Sequence, residues 1–105
     1  PGDVRTAENL LANIYTSLIA NTEAWNKTLF VVLFDEHGGL FDHISPPASI
    51  APDSCDQCGF AFDRYGVRTP ALFISPRIKE KTVVRSDSSY PFDHTSLIAT
   101  LLKWK

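Results

Sequence analysis

The sequence has little of what marks several common classes of protein. No apolar run approaches the length of about 20 residues that a membrane-spanning helix needs, so no transmembrane segment is expected. The formal charge is −2, with 10 basic and 12 acidic residues and no run of like charges. Nucleic-acid-binding domains usually have a basic patch, and this composition argues against that class. Internal repeats are absent too, and 105 residues make one domain at most.

Cysteine is scarce as well: Cys55 and Cys58 form a single Cys-x-x-Cys motif. A structural zinc site needs two more ligands than this motif holds, and nothing nearby in the sequence supplies them. The motif lies in residues 44–65, where prolines block regular structure, whereas a redox motif normally opens a helix after a strand. A local disulfide and two free thiols both remain open, with the disulfide slightly preferred.

What the sequence does contain is an apolar run that is followed directly by charged residues. Six apolar residues, 29–34, are followed at once by Asp35, Glu36, His37 and a Gly-Gly pair. A short continuous apolar run closed by turn residues is typical of a strand buried on both faces, as in a parallel sheet. Ligands of such sheets bind just beyond the carboxyl ends of the strands. The two carboxylates and the histidine are therefore predicted at a functional edge of the sheet.

The adjacent carboxylates of Asp35 and Glu36 repel each other, and holding both ionised at the end of a buried strand costs free energy. A bound cation would remove that cost. All three histidines, His37, His43 and His94, directly follow an acidic residue. Such clusters suit divalent metals and acid–base chemistry, although their spacing matches neither a zinc finger nor a His-Glu-x-x-His helix. A solvated polar turn after an ordinary strand is the alternative interpretation.

Two helices are predicted at the ends of the chain. The first follows a cap at Asp3 or Thr6 and ends near Asn21, and the last begins at Asp93 or Thr95. Apolar residues recur at helical spacing in both, which predicts one buried face on each helix. These residues are Leu10, Leu11, Ile14, Tyr15, Leu18 and Ile19 in the first helix, and Leu97, Ile98, Leu101 and Leu102 in the last.

The segment between the irregular region and the last helix is predicted to contain strands. Residues 71–74 form a second apolar run between two prolines, and residues 82–84 favour a brief strand. Arg68 lies just before the second run. It is predicted either to pair with an acidic residue of the site or to bind substrate phosphate, and we favour the ion pair.

Three blocks of the sequence together resemble the signature of the phosphoesterase family, which includes bacterial phosphatidylcholine-type phospholipases C and related acid phosphatases. They are residues 28–47 with the acidic pair, residues 60–76 with an Arg-x-Gly-x-Arg-x-Pro segment, and residues 92–97 with Asp-His-Thr-Ser-Leu. The family belongs to the alkaline-phosphatase-like α/β superfamily. The resemblance therefore implies an α/β fold, a partial three-layer sandwich with a mostly parallel sheet.

The resemblance also implies metal-dependent hydrolysis of phosphate esters, with a phosphate ester or phospholipid as substrate. Asp35 and Glu36 match the family's acidic pair that binds the catalytic metal, a divalent cation of open identity. His37 matches the histidine beside that pair, and His94 matches the histidine of the last block. As catalytic residues, either histidine would contact phosphate or transfer a proton near neutral pH.

Members of the resembling family are several times longer than this chain, so residues 1–105 are expected to be the C-terminal part of an incomplete catalytic domain. The resemblance implies that the other metal ligands and a Ser/Thr nucleophile lie in the missing N-terminal part. Thr95 and Ser96 are poorer nucleophile candidates, because they would begin a helix. We expect the isolated fragment to be inactive, and the resemblance implies a secreted or periplasmic protein. The alternative is a noncatalytic remnant that only packs or binds a partner.

Overall fold

The structure is a computed structural model that describes residues 3–104, and these residues form three helices and two short strands in two compact units. One unit holds the residues up to Leu40 together with Thr69–Glu80, and the other holds Phe41–Arg68 together with the residues from Lys81 onward. In chain order the elements are α1 (Val4–Ile19), α2 (Thr22–Trp25), β1 (Phe30–Leu33), β2 (Ala71–Ile74) and α3 (His94–Lys103).

Helix α1 begins where the sequence predicts, because Asp3 caps it. The Asp3 carboxylate accepts a 3.0 Å hydrogen bond from the backbone N–H of Arg5 and pairs with the Arg5 guanidinium at 2.6 Å. The helix ends at Ile19, close to the predicted end. Asn21 has a different role from the predicted one, since its side chain accepts a 3.0 Å hydrogen bond from Ala24 N–H and caps the short helix α2.

The predicted buried face of α1 is not buried within the described residues. Helix α1 packs against α2, where the rings of Tyr15 and Trp25 meet edge to face with centroids 5.8 Å apart. No residue between 3 and 104 is fully buried, and Leu10 keeps 59% of its surface exposed. The apolar spacing correctly predicted a helix, but burial needs a covering element, and among the described elements of its unit α1 contacts only α2.

Strands β1 and β2 pair with each other in one antiparallel ladder, from Phe30 opposite Ile74 to Leu33 opposite Ala71. Hydrogen bonds continue beyond both ends of the ladder. The Ser75 hydroxyl donates to Thr28 O at 2.8 Å, and Phe34 N–H donates to Pro70 O at 3.2 Å. The start of the loop that follows β1 is therefore held by the hydrogen bond from Phe34 to Pro70, the residue just before β2.

The mixture of helix and strand agrees with the α/β prediction, but the mostly parallel sheet and the three-layer sandwich are not confirmed. The strand pair that forms among residues 3–104 is antiparallel, and β1 is half-buried rather than buried on both faces. A continuous apolar run indicates that a strand is covered, but it does not report the direction of the neighbouring strand. Sheets that are largely parallel often carry an antiparallel edge strand.

The second unit is mostly irregular before its helix, as predicted for residues 44–65. Its segments are held together by backbone hydrogen bonds, such as Ser49 N–H to Asp63 O at 2.8 Å and Tyr65 N–H to Pro47 O at 3.0 Å. Residues 82–84 form no strand, so that prediction is wrong. None of the helices within residues 3–104 is both long and apolar enough to span a membrane.

Helix α3 begins at His94 with Asp93 as its N-cap, in agreement with the sequence. Its apolar positions are less covered than predicted, because Leu97 is half-buried while Ile98, Leu101 and Leu102 keep 58%, 63% and 76% of their surfaces exposed. The helix is thus specified locally by its cap, without the predicted burial of its apolar side.

Candidate functional site

The predicted acidic pair lies in the loop that leaves β1, residues 35–40, which we call the acidic loop. Asp35 and Glu36 are exposed, and His37 is half-buried. One oxygen of Asp35, Oδ1, accepts a 3.1 Å hydrogen bond from the backbone N–H of Glu36. Within residues 3–104, the Glu36 carboxylate forms no hydrogen bond or ion pair. The loop therefore presents two carboxylates with oxygen atoms available to a ligand.

A tight turn follows the two carboxylates. Leu40 N–H donates a 3.2 Å hydrogen bond to His37 O, and the two residues between them, Gly38 and Gly39, have φ angles of 68° and 73°. Positive φ at both central positions is the geometry of a type I′ turn, which residues with a Cβ adopt at a cost. The glycines are thus needed for the turn that reverses the chain after the acidic pair.

The second acid–histidine pair is organised by Arg68. The guanidinium donates two hydrogen bonds of 2.7 Å, from Nε to Asp42 Oδ2 and from Nη2 to Asp42 Oδ1. Ile44 N–H donates a third at 3.0 Å, and His43 Nδ1 lies 3.7 Å from the same carboxylate. The Asp42 side chain is only 10% exposed, against 63% for Arg68.

Hydrogen bonds from the Arg68 side chain, and then from the Ile44 amide, hold the pKa of the Asp42 carboxyl well below its usual range. Asp42 is therefore ionised throughout the neutral and mildly acidic range. The favoured prediction that Arg68 forms an ion pair is confirmed, but the sequence did not identify Asp42 as its partner. The only signal was that Asp42 belongs to an acid–histidine pair close to the acidic loop.

The third acid–histidine pair starts helix α3. Asp93 Oδ1 accepts hydrogen bonds from Thr95 Oγ1 at 2.6 Å and from Ser96 N–H at 3.0 Å, while the Ser96 hydroxyl accepts one from Asp93 N–H at 3.1 Å. This is a reciprocal capping box. The Thr95 hydroxyl, followed by the Ser96 contacts, lowers the pKa of Asp93 despite its partial burial. His94 is exposed on the first turn of the helix.

The predicted site residues are divided between the two units. Asp35, Glu36 and His37 share the acidic loop of one unit, whereas His94 belongs to the other. Across residues 3–104 there is no group of three or more His, Cys, Asp or Glu side chains that could hold a metal ion. Adjacent carboxylates with available oxygens nevertheless fit a hard divalent cation as two members of a larger ligand set.

Cys55 and Cys58 are both free and exposed, so the disulfide that the sequence slightly favoured is not formed. The second cysteine and Gly59 occupy the centre of a two-residue turn, with φ angles of 54° and 79°. The flanking residues Gln57 and Phe60 exchange two backbone hydrogen bonds of 3.0 Å. Cys58 therefore lies at the tip of a tight turn, and Cys55 lies before it.

The sequence profile of the phosphoesterase family matches residues 1–104. The chain belongs to the phosphoesterase family. It is 43% identical to the non-specific phospholipase C3 of Arabidopsis thaliana over 96% of the chain, and 36% identical to the non-hemolytic phospholipase C of Pseudomonas aeruginosa over 84%. It is also 34% identical to the phospholipase C B of Mycobacterium tuberculosis over 77% of the chain.

The chain spans only part of these family members, 21% of the Arabidopsis protein, 15% of the Pseudomonas protein and 17% of the Mycobacterium protein. No solved structure matches it. The family resemblance predicted from the three sequence blocks is confirmed.

Proposed function

We propose that the full-length product of this gene hydrolyses phosphate esters in the manner of a phospholipase C, and that this chain supplies part of a divalent-cation site. Membership of the phosphoesterase family and similarity to proteins named phospholipase C support the reaction class. The observation that carries the local assignment is the acidic pair. Asp35 and Glu36 follow β1 after one intervening residue, Phe34, and they are exposed with carboxylate oxygens available.

In this proposal Asp35 and Glu36 hold the cation, and other ligands come from parts of the protein outside this chain. A bound divalent cation would polarise the phosphoryl oxygen and favour attack by a nucleophile. The turn at Gly38 and Gly39 reverses the backbone directly after the pair. Neither glycine would bring a Cβ atom within 4 Å of a neighbour, so the space beside the turn is open to an approaching ligand.

The two histidines have separate parts in the proposal. His37 follows the carboxylates in the same loop, where it would contact a phosphate oxygen or transfer a proton near neutral pH. His94 lies on the first turn of α3, where the backbone N–H groups and the helix dipole favour an anion. We assign His94 a phosphate contact of this kind.

The nucleophile is assigned to the part of the full-length product that this chain does not contain. Thr95 and Ser96 are poor candidates, because the hydroxyl of Thr95 donates to Asp93 and that of Ser96 accepts from the Asp93 amide. A hydroxyl engaged in a helix cap cannot attack a phosphoryl group without breaking that cap.

A noncatalytic role in packing or partner binding is the second candidate. It is favoured by the large apolar side chains that remain exposed, among them Leu102 at 76% and Phe41 at 92%. Turnover by the full-length product separates the two candidates, since a partner-binding remnant would hydrolyse neither phosphomonoesters nor phosphodiesters.

The assignment of the acidic pair is tested by the Asp35→Asn variant of the full-length gene product. We expect phosphodiester turnover to fall more than about a hundredfold, because loss of a ligand should exceed the 10–100-fold cost of losing an outer partner of a metal site. Mn²⁺ affinity should fall as well, with an unchanged circular dichroism spectrum. Asp56→Asn is the matched control, since Asp56 is exposed and lies in the irregular segment. Wild-type turnover in Asp35→Asn would refute the assigned role.

A further inference from the structure

The turn between α2 and β1 carries a three-residue motif that the proposed function does not use. Residues 26–28 are Asn-Lys-Thr, and Asn-x-Ser/Thr with x other than proline is the acceptor sequon for N-linked glycosylation. The other asparagines, Asn9, Asn13 and Asn21, have neither serine nor threonine two residues later, so the 105 residues contain this sequon alone. Because so short a motif also arises by chance, its structural context decides its value.

Asn26 lies where a glycan has room. It is exposed in the turn that follows α2, and a bulky, polar sugar chain requires a surface position. Its backbone N–H donates to Thr22 O at 3.0 Å, and its backbone carbonyl accepts from Arg77 Nε at 2.7 Å. Within residues 3–104, however, the side-chain amide of Asn26 forms no hydrogen bond. The backbone is therefore held in place, while the nitrogen that would carry the sugar is left unengaged.

The side chains around Asn26 are polar, unlike the exposed apolar positions elsewhere in the chain. Lys27 Nζ pairs with Glu23 Oε1 at 2.9 Å, and both side chains are largely exposed. Charged residues are seldom fully buried, whereas exposed apolar side chains are the ones that a further part of a protein tends to cover. We therefore expect this turn to stay open to solvent in the full-length gene product.

The threonine of the sequon has a different environment. Thr28 is half-buried, its hydroxyl donates to Ala24 O at 2.8 Å, and its backbone carbonyl accepts from the Ser75 hydroxyl at 2.8 Å. In the folded turn this hydroxyl is engaged, so a glycosyltransferase that reads it would have to act before the turn forms. The folded structure then has only to keep the modified asparagine exposed, and it does so at Asn26.

We propose that Asn26 is the acceptor of an N-linked glycan, transferred from a lipid-diphosphate-linked oligosaccharide as the chain enters a secretory compartment. In that step Nδ2 of Asn26 forms a bond to the anomeric carbon of the first sugar. The bond from that carbon to the diphosphate oxygen breaks, the lipid diphosphate leaves with the electron pair, and one amide proton is lost to a base. The inference goes beyond the proposed function and does not depend on it.

The test expresses the full-length gene product in a eukaryotic cell line, with an added signal peptide and a C-terminal tag that contains its own sequon. A glycan on the tag reports that the protein has entered the secretory compartment. The readout is mass spectrometry of the peptide that contains Asn26, after an amidase has removed N-linked glycans. Because this amidase converts a glycosylated asparagine to aspartate, we expect aspartate at position 26 in the treated wild type and asparagine in an unmodified chain.

Four variants separate the sequon from its surroundings. Asn26→Gln and Thr28→Val should each lose one glycan in gel mobility, since one removes the acceptor and the other the hydroxyl of the sequon. Thr28→Ser keeps both the sequon and a hydroxyl that can donate to Ala24 O, so it should retain the glycan. Asn9→Gln changes an exposed asparagine of α1 outside any sequon and serves as the control. Should Thr28→Val fail to fold, Asn26→Gln still tests the acceptor.

An unmodified Asn26 in wild-type protein whose tag carries a glycan would overturn the proposal. Equal mobility of the wild type and Asn26→Gln, before and after glycan removal, would overturn it as well. Loss of one glycan in Asn26→Gln and its retention in Thr28→Ser and Asn9→Gln would support it. None of these readouts uses phosphate-ester turnover, so failure of the proposed function would leave the result for Asn26 unchanged.

Discussion

Asp42 accepts two hydrogen bonds of 2.7 Å from Arg68, which lies 26 residues further along the chain. The pair connects the segment just after the acidic loop with the segment just before β2. The Asp42 side chain is only 10% exposed, although the two acidic residues of the acidic loop, Asp35 and Glu36, are open to solvent. Carboxylates that are close in the sequence thus have different environments: Asp42 is neutralised by Arg68, whereas Asp35 and Glu36 are available to a ligand.

The glycine turn after the acidic pair gives a stability prediction. Gly39→Ala should destabilise the protein by about 1–2 kcal/mol, because φ is 73° there and a Cβ atom is unfavourable at positive φ. The added methyl group meets no neighbour within 4 Å, so the cost comes from the backbone alone. The measurement is chemical unfolding of the full-length product.

Gly66→Ala is the matched control for that turn. Gly66 does not have a positive φ, and its added Cβ would also meet nothing within 4 Å. We expect no loss of stability from this change. A small gain in stability would fit the same interpretation, because alanine lowers the conformational entropy of the unfolded chain. Equal costs for the two substitutions would show that the turn geometry is not what requires glycine at position 39.

The cap of α3 gives a second prediction. Asp93→Ala removes the acceptor for Thr95 Oγ1 and Ser96 N–H, and loss of such a cap costs about 0.5–2 kcal/mol. Asp87→Ala, at an exposed position outside any helix or strand, should change stability by less than about 0.5 kcal/mol. Thermal unfolding of the two variants beside the wild type is the measurement. A cost for Asp87→Ala equal to that for Asp93→Ala would contradict the role of the cap.

The same cap gives a pH dependence of defined sign. The pKa of Asp93 is lowered in the folded state, chiefly by the Thr95 hydroxyl, so its stabilising contribution is fully present above the unfolded pKa of about 3.9. That contribution declines as the pH falls through the lower folded pKa. The difference in stability between wild type and Asp93→Ala should therefore be constant from pH 7 to about pH 5 and shrink below about pH 4. A stability difference between wild type and Asp93→Ala that grew on acidification would contradict the lowered pKa of Asp93.

The cysteine pair gives a prediction that needs only a colorimetric assay. Both thiols are free and exposed, so a disulfide-exchange reagent should titrate Cys55 and Cys58 in the native protein without prior reduction. The count should stay the same after denaturation of this 105-residue chain, since it contains no further cysteine. Thiols that appear only after reduction would instead support the disulfide that sequence reasoning slightly preferred.

Local features were the ones that the sequence predicted well. Asp3 and Asp93, each one of two candidates named from the sequence, are the helix caps, and such prediction works because a cap is decided by residues within one turn. The strand after Thr28 and the apolar run at 71–74 were also found, since each has a continuous apolar pattern between turn residues.

Features that depend on distant contacts were missed. The antiparallel pairing of β1 with β2 leaves no trace in either apolar run, and the partner of Arg68 lies 26 residues away. The brief strand expected at residues 82–84 did not form, because β-branched residues favour a strand only where a neighbour pairs with it. The family was nevertheless predicted correctly, since three ordered blocks specify a family more closely than any one of them.

Metal-dependent hydrolysis is tested by measuring turnover of the full-length gene product and of this chain alone, each with and without a chelator. The substrates are a phosphatidylcholine vesicle and a soluble phosphomonoester. We expect chelator-sensitive turnover in the full-length product, restored by added divalent cation, and no turnover by the chain alone. Absence of turnover on both substrates, or turnover that the chelator leaves unchanged, would contradict a metal-dependent phosphoesterase.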